Sequence, residues 1–291
     1  MPSLKEIRNR INSVSSTMQI TSAMKMVSAA KLKRAQDAVT KMRPYAEKLQ
    51  DILINLSATL DLSENSYSEQ REKKNILIVG ITSNRGLCGG FNNNIIKRVA
   101  KISNSREEKG GSVKVLCLGK KIKDIYKKND SYYINDSLQP LEDIFSDLSF
   151  ENVEKISENL MTLFTSEEFD EIILVYNRFV NAATQAIEQE QFLPILPPEE
   201  TDNLNNEYLF EPSKEEIVEE LIPKSLKIQL FKGLLDSFAA EHGARMTAMH
   251  KATDNAQDLQ KELKLSYNKA RQATITNEIL EIVGGAEALN A

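Results

Sequence analysis

Residues 224–283 read KSLKIQLFKGLLDSFAAEHGARMTAMHKATDNAQDLQKELKLSYNKARQATITNEILEIV, a run without proline and with only two glycines, Gly233 and Gly243. Its core-facing candidates step by fours and threes: Phe231, Leu235, Phe238, His242, Arg245, Met249, Ala252, Ala256, Leu259, Leu263, Ser266 and Ala270. Such a step averages about 3.5 residues, the period of a left-handed supercoil, where about 3.6 marks an ordinary surface helix. At about 1.5 Å per residue the run predicts a helix of roughly 90 Å. Its seam is poor in Leu and Ile and rich in Ala, Ser and Met. A seam of that kind either pairs closely with a second helix or offers its length to other proteins.

The second helix is at the other end of the chain. Residues 3–60 begin with Ser3 and Glu6 in capping-box spacing. Leu4, Ile7, Ile11, Val14 and Met18 then form one seam, and Ala35, Val39, Met42, Ala46, Leu49, Leu53, Leu56 and Leu60 a second. Between them the phase is expected to slip, in the stretch ITSAMKMVSAAKLKR. Pro44 conflicts with a straight helix, since an interior proline costs about 3 kcal/mol unless a kink absorbs it. A bend there, with the helix continuing beyond, is the expectation.

The middle of the chain has another character. Residues 75–83 (NILIVGITS) form a continuous apolar strand suited to a parallel sheet. A helix over 92–104, a strand over 113–119 and a short helix over 120–128 follow. A weak strand near 132–134 comes next, then helices over 141–148 and 151–164. A strong strand at 171–176 is expected to pair with 185–193 after a turn at Asn181. Strands alternating with helices indicate a doubly wound sandwich. The expected fold is therefore α/β: an antiparallel coiled coil of long N- and C-terminal helices (1–60 and 224–291) plus a small Rossmann-like α/β domain (75–195). Residues 196–223 read as an acidic linker in which a short helix lies between Pro212 and Pro223, so that the long helix starts after Pro223.

Composition sets bounds on function. The chain has 291 residues and a net charge of −5, with Cys88 and Cys117 its only cysteines and no CxxC motif. That usage predicts reduced thiols. No apolar run approaches the roughly 20 residues needed to cross a bilayer. The charged start MPSLKEIRNR reads as the beginning of the first helix, so neither a secretory signal nor a transit peptide is expected. Residues 1–60 carry a net charge of +6, residues 224–291 +1, and the middle −12. The basic first helix suggests an anionic partner.

Motifs for chemistry are few. The glycine-rich stretch GITSNRGLCGGF, residues 80–91, lies between a strand and a helix, where a phosphate would sit. Yet neither GxGxxG nor GxxxxGK[ST] can be written there, and the loop has no lysine. A tight structural turn is favoured; a nucleotide-binding enzyme using loop 86–90 is the alternative. His242 and His250 stand eight apart on one helix and cannot share a metal as an i, i+4 pair could. No catalytic set, metal site or cofactor site is expected. Lys31, Lys33 and Arg34 lack aromatic interleaving, so nucleic acid is not the expected partner.

The segments KEIRNRINSV, QITSAMKMVSAAKLKRAQ, RPYAE, SNRGLCGGFN, ARMTAMHKATDNA and YNKARQATITNEILEIVGGAEAL together resemble the gamma subunits of F-type ATP synthases, end to end and in the family's order. The resemblance implies a non-catalytic rotary shaft within a ring of alpha and beta subunits. It also implies an α/β foot on the membrane c-ring beside epsilon, and no homo-oligomer. Peripheral attachment to the cytoplasmic face of the bacterial inner membrane follows. By the same resemblance, Arg271 and Gln272 engage a beta-subunit loop, with Arg245, Thr276 and Glu278 in the same contact set. Met24, Lys25, Lys31 and Lys33 are expected to pass an acidic lever of beta, and Tyr208 and Glu211 to touch the c-ring. The tail ILEIVGGAEALNA resembles the tip that turns in the bearing at the top of the ring. The family's chloroplast form has an inserted regulatory cysteine pair, and no such CxxxxxC element occurs here.

Overall fold

The computed structural model describes residues 3–57, 65–134, 141–195 and 214–290. The chain forms two compact units, one of residues 1–27 with 246–291 and one of residues 28–245. Helices α1 (Leu4–Ser57) and α5 (Lys214–Asn290) each contribute to both.

Between them run β1 (Asn75–Ile81), α2 (Phe91–Glu107), β2 (Ser112–Leu118), α3 (Lys120–Tyr126), α4 (Phe150–Thr165), β3 (Glu171–Phe179) and β4 (Gln185–Leu193). The sheet order is β2-β1-β3-β4, with β1 parallel to β2 and to β3, and β4 antiparallel to β3. β1 is apolar almost throughout because both of its faces are covered. Leu77, Val79 and Ile81 face α4 and the start of α5, where Leu226, Leu230 and Leu234 are buried. Ile76 and Ile78 face α2 and α3, through Ile95, Val99, Ile102 and Ile122. The β3–β4 turn closes on Asn181, whose Oδ1 accepts from the Ala183 and Thr184 amides at 2.9 and 2.8 Å. A short Asx-type turn of this kind lets β4 fold straight back along β3.

Several expectations need correction. The segment at 132–134 contributes only a bridge, Tyr132 to Val115, and 141–148 holds a single 3-10 turn at Asp143–Phe145. α5 begins at Lys214 and runs through Pro223, ten residues before the expected start. Ile222 and Leu226 on either side of that proline are 1% and 2% exposed. Burying two such side chains contributes about 1.5–3 kcal/mol each, enough to offset the lost helical bond. The rest of the acidic linker, 196–213, lies outside the described residues.

The α1 seam does not slip. Met18, Thr21, Lys25, Ser28, Leu32 and Ala35 continue the same three-four alternation, all buried or half-buried. Small and polar residues had masked it. On α5 beyond Ala256, Leu263 and Ala270 hold the seam as expected, but Leu259 and Ser266 are exposed and Gln260 and Tyr267 take their places. α1 passes through Pro44 as a continuous helix.

Candidate functional site

In the unit built from the chain ends, α1 and α5 pair antiparallel with a constant register. Lys25 Nζ lies 3.5 Å from His250 Nδ1, the Thr21 and Thr253 hydroxyls are 2.8 Å apart, and Arg8 donates to the Tyr267 hydroxyl at 2.8 Å. Each step toward the start of α1 is matched by an equal step along α5. Ile7, Met249 and Ala256 are buried in this seam. The same register sets the start of α1 opposite Arg271, so α5 continues past its partner. From Arg271 to Ala286 every side chain is exposed, including Ile275, Ile279, Leu280, Ile282 and Val283.

Four expected contact residues, Arg271, Gln272, Thr276 and Glu278, stand on that bare segment. Thr276 Oγ1 donates back to the Gln272 carbonyl at 2.9 Å, which orients it along the helix. Met24 and Lys25 are half-buried in the same unit. Lys31 and Lys33 are exposed and belong to the other unit. Lys33 pairs with Asp37 at 2.9 Å across one turn, an exposed contact worth only about 0.3–0.5 kcal/mol, so its ammonium is readily given up to another partner.

Arg245 belongs elsewhere. It is 7% exposed in the α/β unit, paired there with Glu241, and it donates to the carbonyls of Arg85 and Gly86 at 3.1 and 3.3 Å. It is therefore not part of the exposed set with Arg271: its guanidinium is committed within the chain. Burial raises the Glu241 pKa, with Arg245 opposing. Burial, helped by the Arg245 and Lys31 charges, pushes His242 down to about 3, so it is a neutral ring at ordinary pH. That ring packs edge-on to Phe238 at 4.5 Å.

The loop that receives Arg245 is the glycine-rich one. The Ser83 amide donates to Asn92 Oδ1 at 2.9 Å and its hydroxyl to the Arg85 carbonyl at 2.6 Å. Asn84 donates to the Glu142 carbonyl at 2.6 Å and accepts from the Lys120 amide at 2.9 Å. Leu87 and Gly89 take left-handed backbones, φ 63 and 61. In doubly wound folds a ligand enters at the carboxyl ends of strands where the order reverses. Here α5 fills that place, with Ala240 and Ala244 buried against Cys88 and Phe91. A Cβ on Gly243 would come within 3.2 Å of the Phe179 ring, so the helix lies close on the sheet. The structural-turn reading of the loop fits these contacts. A bound phosphate would have to displace α5.

Among the described residues, no cluster of three or more His, Cys, Asp or Glu side chains could hold a metal ion, and no helix is long and apolar enough to cross a membrane. Tyr208 and Glu211 lie outside the described residues.

A family model described as ATP synthase matches residues 3–289. A protein named ATP synthase gamma chain from Christiangramia forsetii is 61% identical over 291 residues, covering all of both chains. The chain belongs to the ATP synthase gamma family. Another gamma chain, from Chlorobaculum parvum, is 45% identical over 294 residues and 99% of each chain. In fold, the chain resembles one from the mitochondrial ATP synthase of Euglena gracilis, with TM-score 0.67, 21% identity, and coverage of 98% of this chain and 94% of that one. A chain from the central stalk and c-ring of the Tetrahymena thermophila mitochondrial enzyme gives TM-score 0.58 at 23% identity, covering 80% and 99%. Nothing in these likenesses favours a nucleotide-binding enzyme.

Sequence reasoning missed the loop's role as an acceptor for Arg245, and the Gln260 and Tyr267 seam positions. No local pattern marks either: the carbonyl direction of the loop and the pairing of Tyr267 with Arg8 both arise between segments far apart in sequence.

Proposed function

We propose that the chain is the central-stalk subunit of an F-type ATP synthase, itself non-catalytic. It transmits rotation between a membrane c-ring and a ring of alpha and beta subunits, so that ion flow is coupled to ATP synthesis. Epsilon sits beside its α/β unit, and the complex is held at the cytoplasmic face of the bacterial inner membrane.

The observation that carries this reading is the antiparallel pairing of α1 and α5 followed by a bare α5 extension. Paired helices are stiff along their axis. A surface of small residues and weakly held charges binds no single orientation strongly, since exposed ion pairs are worth about 0–1 kcal/mol. Arg271, Gln272, Thr276 and Glu278 act as reversible catches on beta. Met24 and Lys25 pass its acidic lever, and the cations of Lys25, Lys31 and Lys33 meet carboxylates there. Tyr208 and Glu211 touch the c-ring.

The test is co-purification followed by cross-linking. The chain should assemble with alpha and beta, and a disulfide tying the exposed α5 extension to one alpha subunit should stop ATP turnover until it is reduced. Undiminished turnover with the bond intact would discard rotation and leave a static scaffold.

A further inference from the structure

We propose that the glycine-rich loop is a cation socket filled from within the chain: Arg245 of α5 seats on the Arg85 and Gly86 carbonyls and so makes the join through which a twist of α5 reaches the sheet. The second half rests on the central-stalk reading above; the socket itself does not.

The polarity of the loop is the first argument. A phosphate cradle offers N–H groups and a helix N-terminus. This loop turns two carbonyls toward a guanidinium, at 3.1 and 3.3 Å. Its other terminal nitrogen, Nη1, faces Glu241, and His242 Nδ1 at 3.4 Å, both on α5 itself. A planar fork held from one side and received on the other fixes direction as well as distance, which a lysine point charge does not.

Stiffness on both sides is the second. The loop is tied to α2 through Asn92, and to the Glu142 and Lys120 segments through Asn84. On α5, Arg245 follows directly on Ala244 and stands two residues past Gly243, where the helix lies close on Phe179. Small apolar contacts such as Ala240 and Ala244 hold helix and sheet together but resist sliding poorly. The arginine supplies the registry they lack.

Cys88 and Cys117 make the test. Cys88 is buried inside the loop beside Ser83, and Cys117 is buried in β2 between the sheet and its helices. In the full chain, labelling by an aromatic disulfide reagent, resolved by peptide mass spectrometry, should be about tenfold or more faster at Cys88 in Arg245→Met, with Cys117 unchanged. Arg245→Lys should fall between. Loss of the Arg245 charge by itself raises the Cys88 thiol pKa and slows the reaction, so a faster rate reports opening of the loop. Unchanged Cys88 labelling, or equal acceleration at both thiols, would overturn the socket. In the complex assembled with alpha, beta and the membrane sector, Arg245→Met should pump fewer ions per ATP hydrolysed, with partial recovery in Arg245→Lys. Full pumping in Arg245→Met would overturn the join. A wild-type complex that shows no coupled pumping would instead remove the central-stalk reading, and the Cys88 result would stand without it.

Discussion

The hydroxyls of Thr21 and Thr253 meet at 2.8 Å across the paired ends of the chain, yet each also reaches a carbonyl of its own helix, Met18 at 3.1 Å and Met249 at 2.8 Å. Two hydroxyl protons cannot serve three bonds at once. The pair marks the register of α1 against α5 at little net gain.

Replacing both with valine should therefore leave stability unchanged or raise it slightly, because two apolar groups of the same shape remove the conflict. Either single valine leaves the other hydroxyl free to donate to its own helix carbonyl, so each should cost less than about 1 kcal/mol, the cost of a stranded hydroxyl. Thermal unfolding of the four variants as a cycle checks this. A double variant destabilised by about 1 kcal/mol or more would mean that the hydroxyl pair is a net stabiliser.

Arg271→Ala and Gln272→Ala should each change the stability of the chain by no more than about 0.5 kcal/mol, since both side chains are exposed. Each should lower coupled ATP synthesis in the assembled complex without loss of assembly. Normal synthesis in both would remove their role as catches on beta.

His242 makes stability depend on pH in a known direction. Its folded pKa, about 3, lies below the ordinary value of 6.5, so the unfolded chain binds the proton first. The contribution is complete above about pH 6.5 and is lost as pH falls toward 3, by up to about 1.4 kcal/mol per unit. Glu241 and Asp236, both raised chiefly by burial, act in the opposite sense, and Arg245 and Lys31 face the ring as cations. The difference between wild type and His242→Gln isolates the histidine. The gap in unfolding free energy should narrow in the variant's favour between pH 7 and pH 4.

Isothermal titration of the full chain with ATP and ADP should show no micromolar site. The crevice at the carboxyl ends of β1 and β3 is filled by Ala240, Ala244 and Arg245. A micromolar site there would revive the nucleotide-binding reading of residues 86–90.

Much of the fold was legible because its signals are periodic. The apolar β1, buried on both faces, and the three-four alternation at the two ends of α1 follow from residue type alone, whereas the small and polar middle of that seam did not read as continuous. The start of α5 was not, because Pro223 reads locally as a stop and only the burial of Ile222 and Leu226 explains its place inside a helix. The seam places of Gln260 and Tyr267 were hidden for a related reason: both residues are amphipathic, and their partners on α1 lie more than two hundred residues away in sequence. For the contact residues, the exposure of Arg271 agrees with a role outside the chain. Arg245, on the same helix, is drawn inward by a loop whose carbonyl direction no sequence pattern reveals.

Rotation itself is the most direct test. With the alpha and beta ring fixed to a surface, a probe carried by Lys128→Cys, an exposed position beyond α3, should turn stepwise in one direction when ATP is added. Buried Cys88 and Cys117 leave that site the one labelled. Steady unidirectional turning is the predicted result. A probe that stays fixed while the ring hydrolyses ATP at full rate would contradict the account.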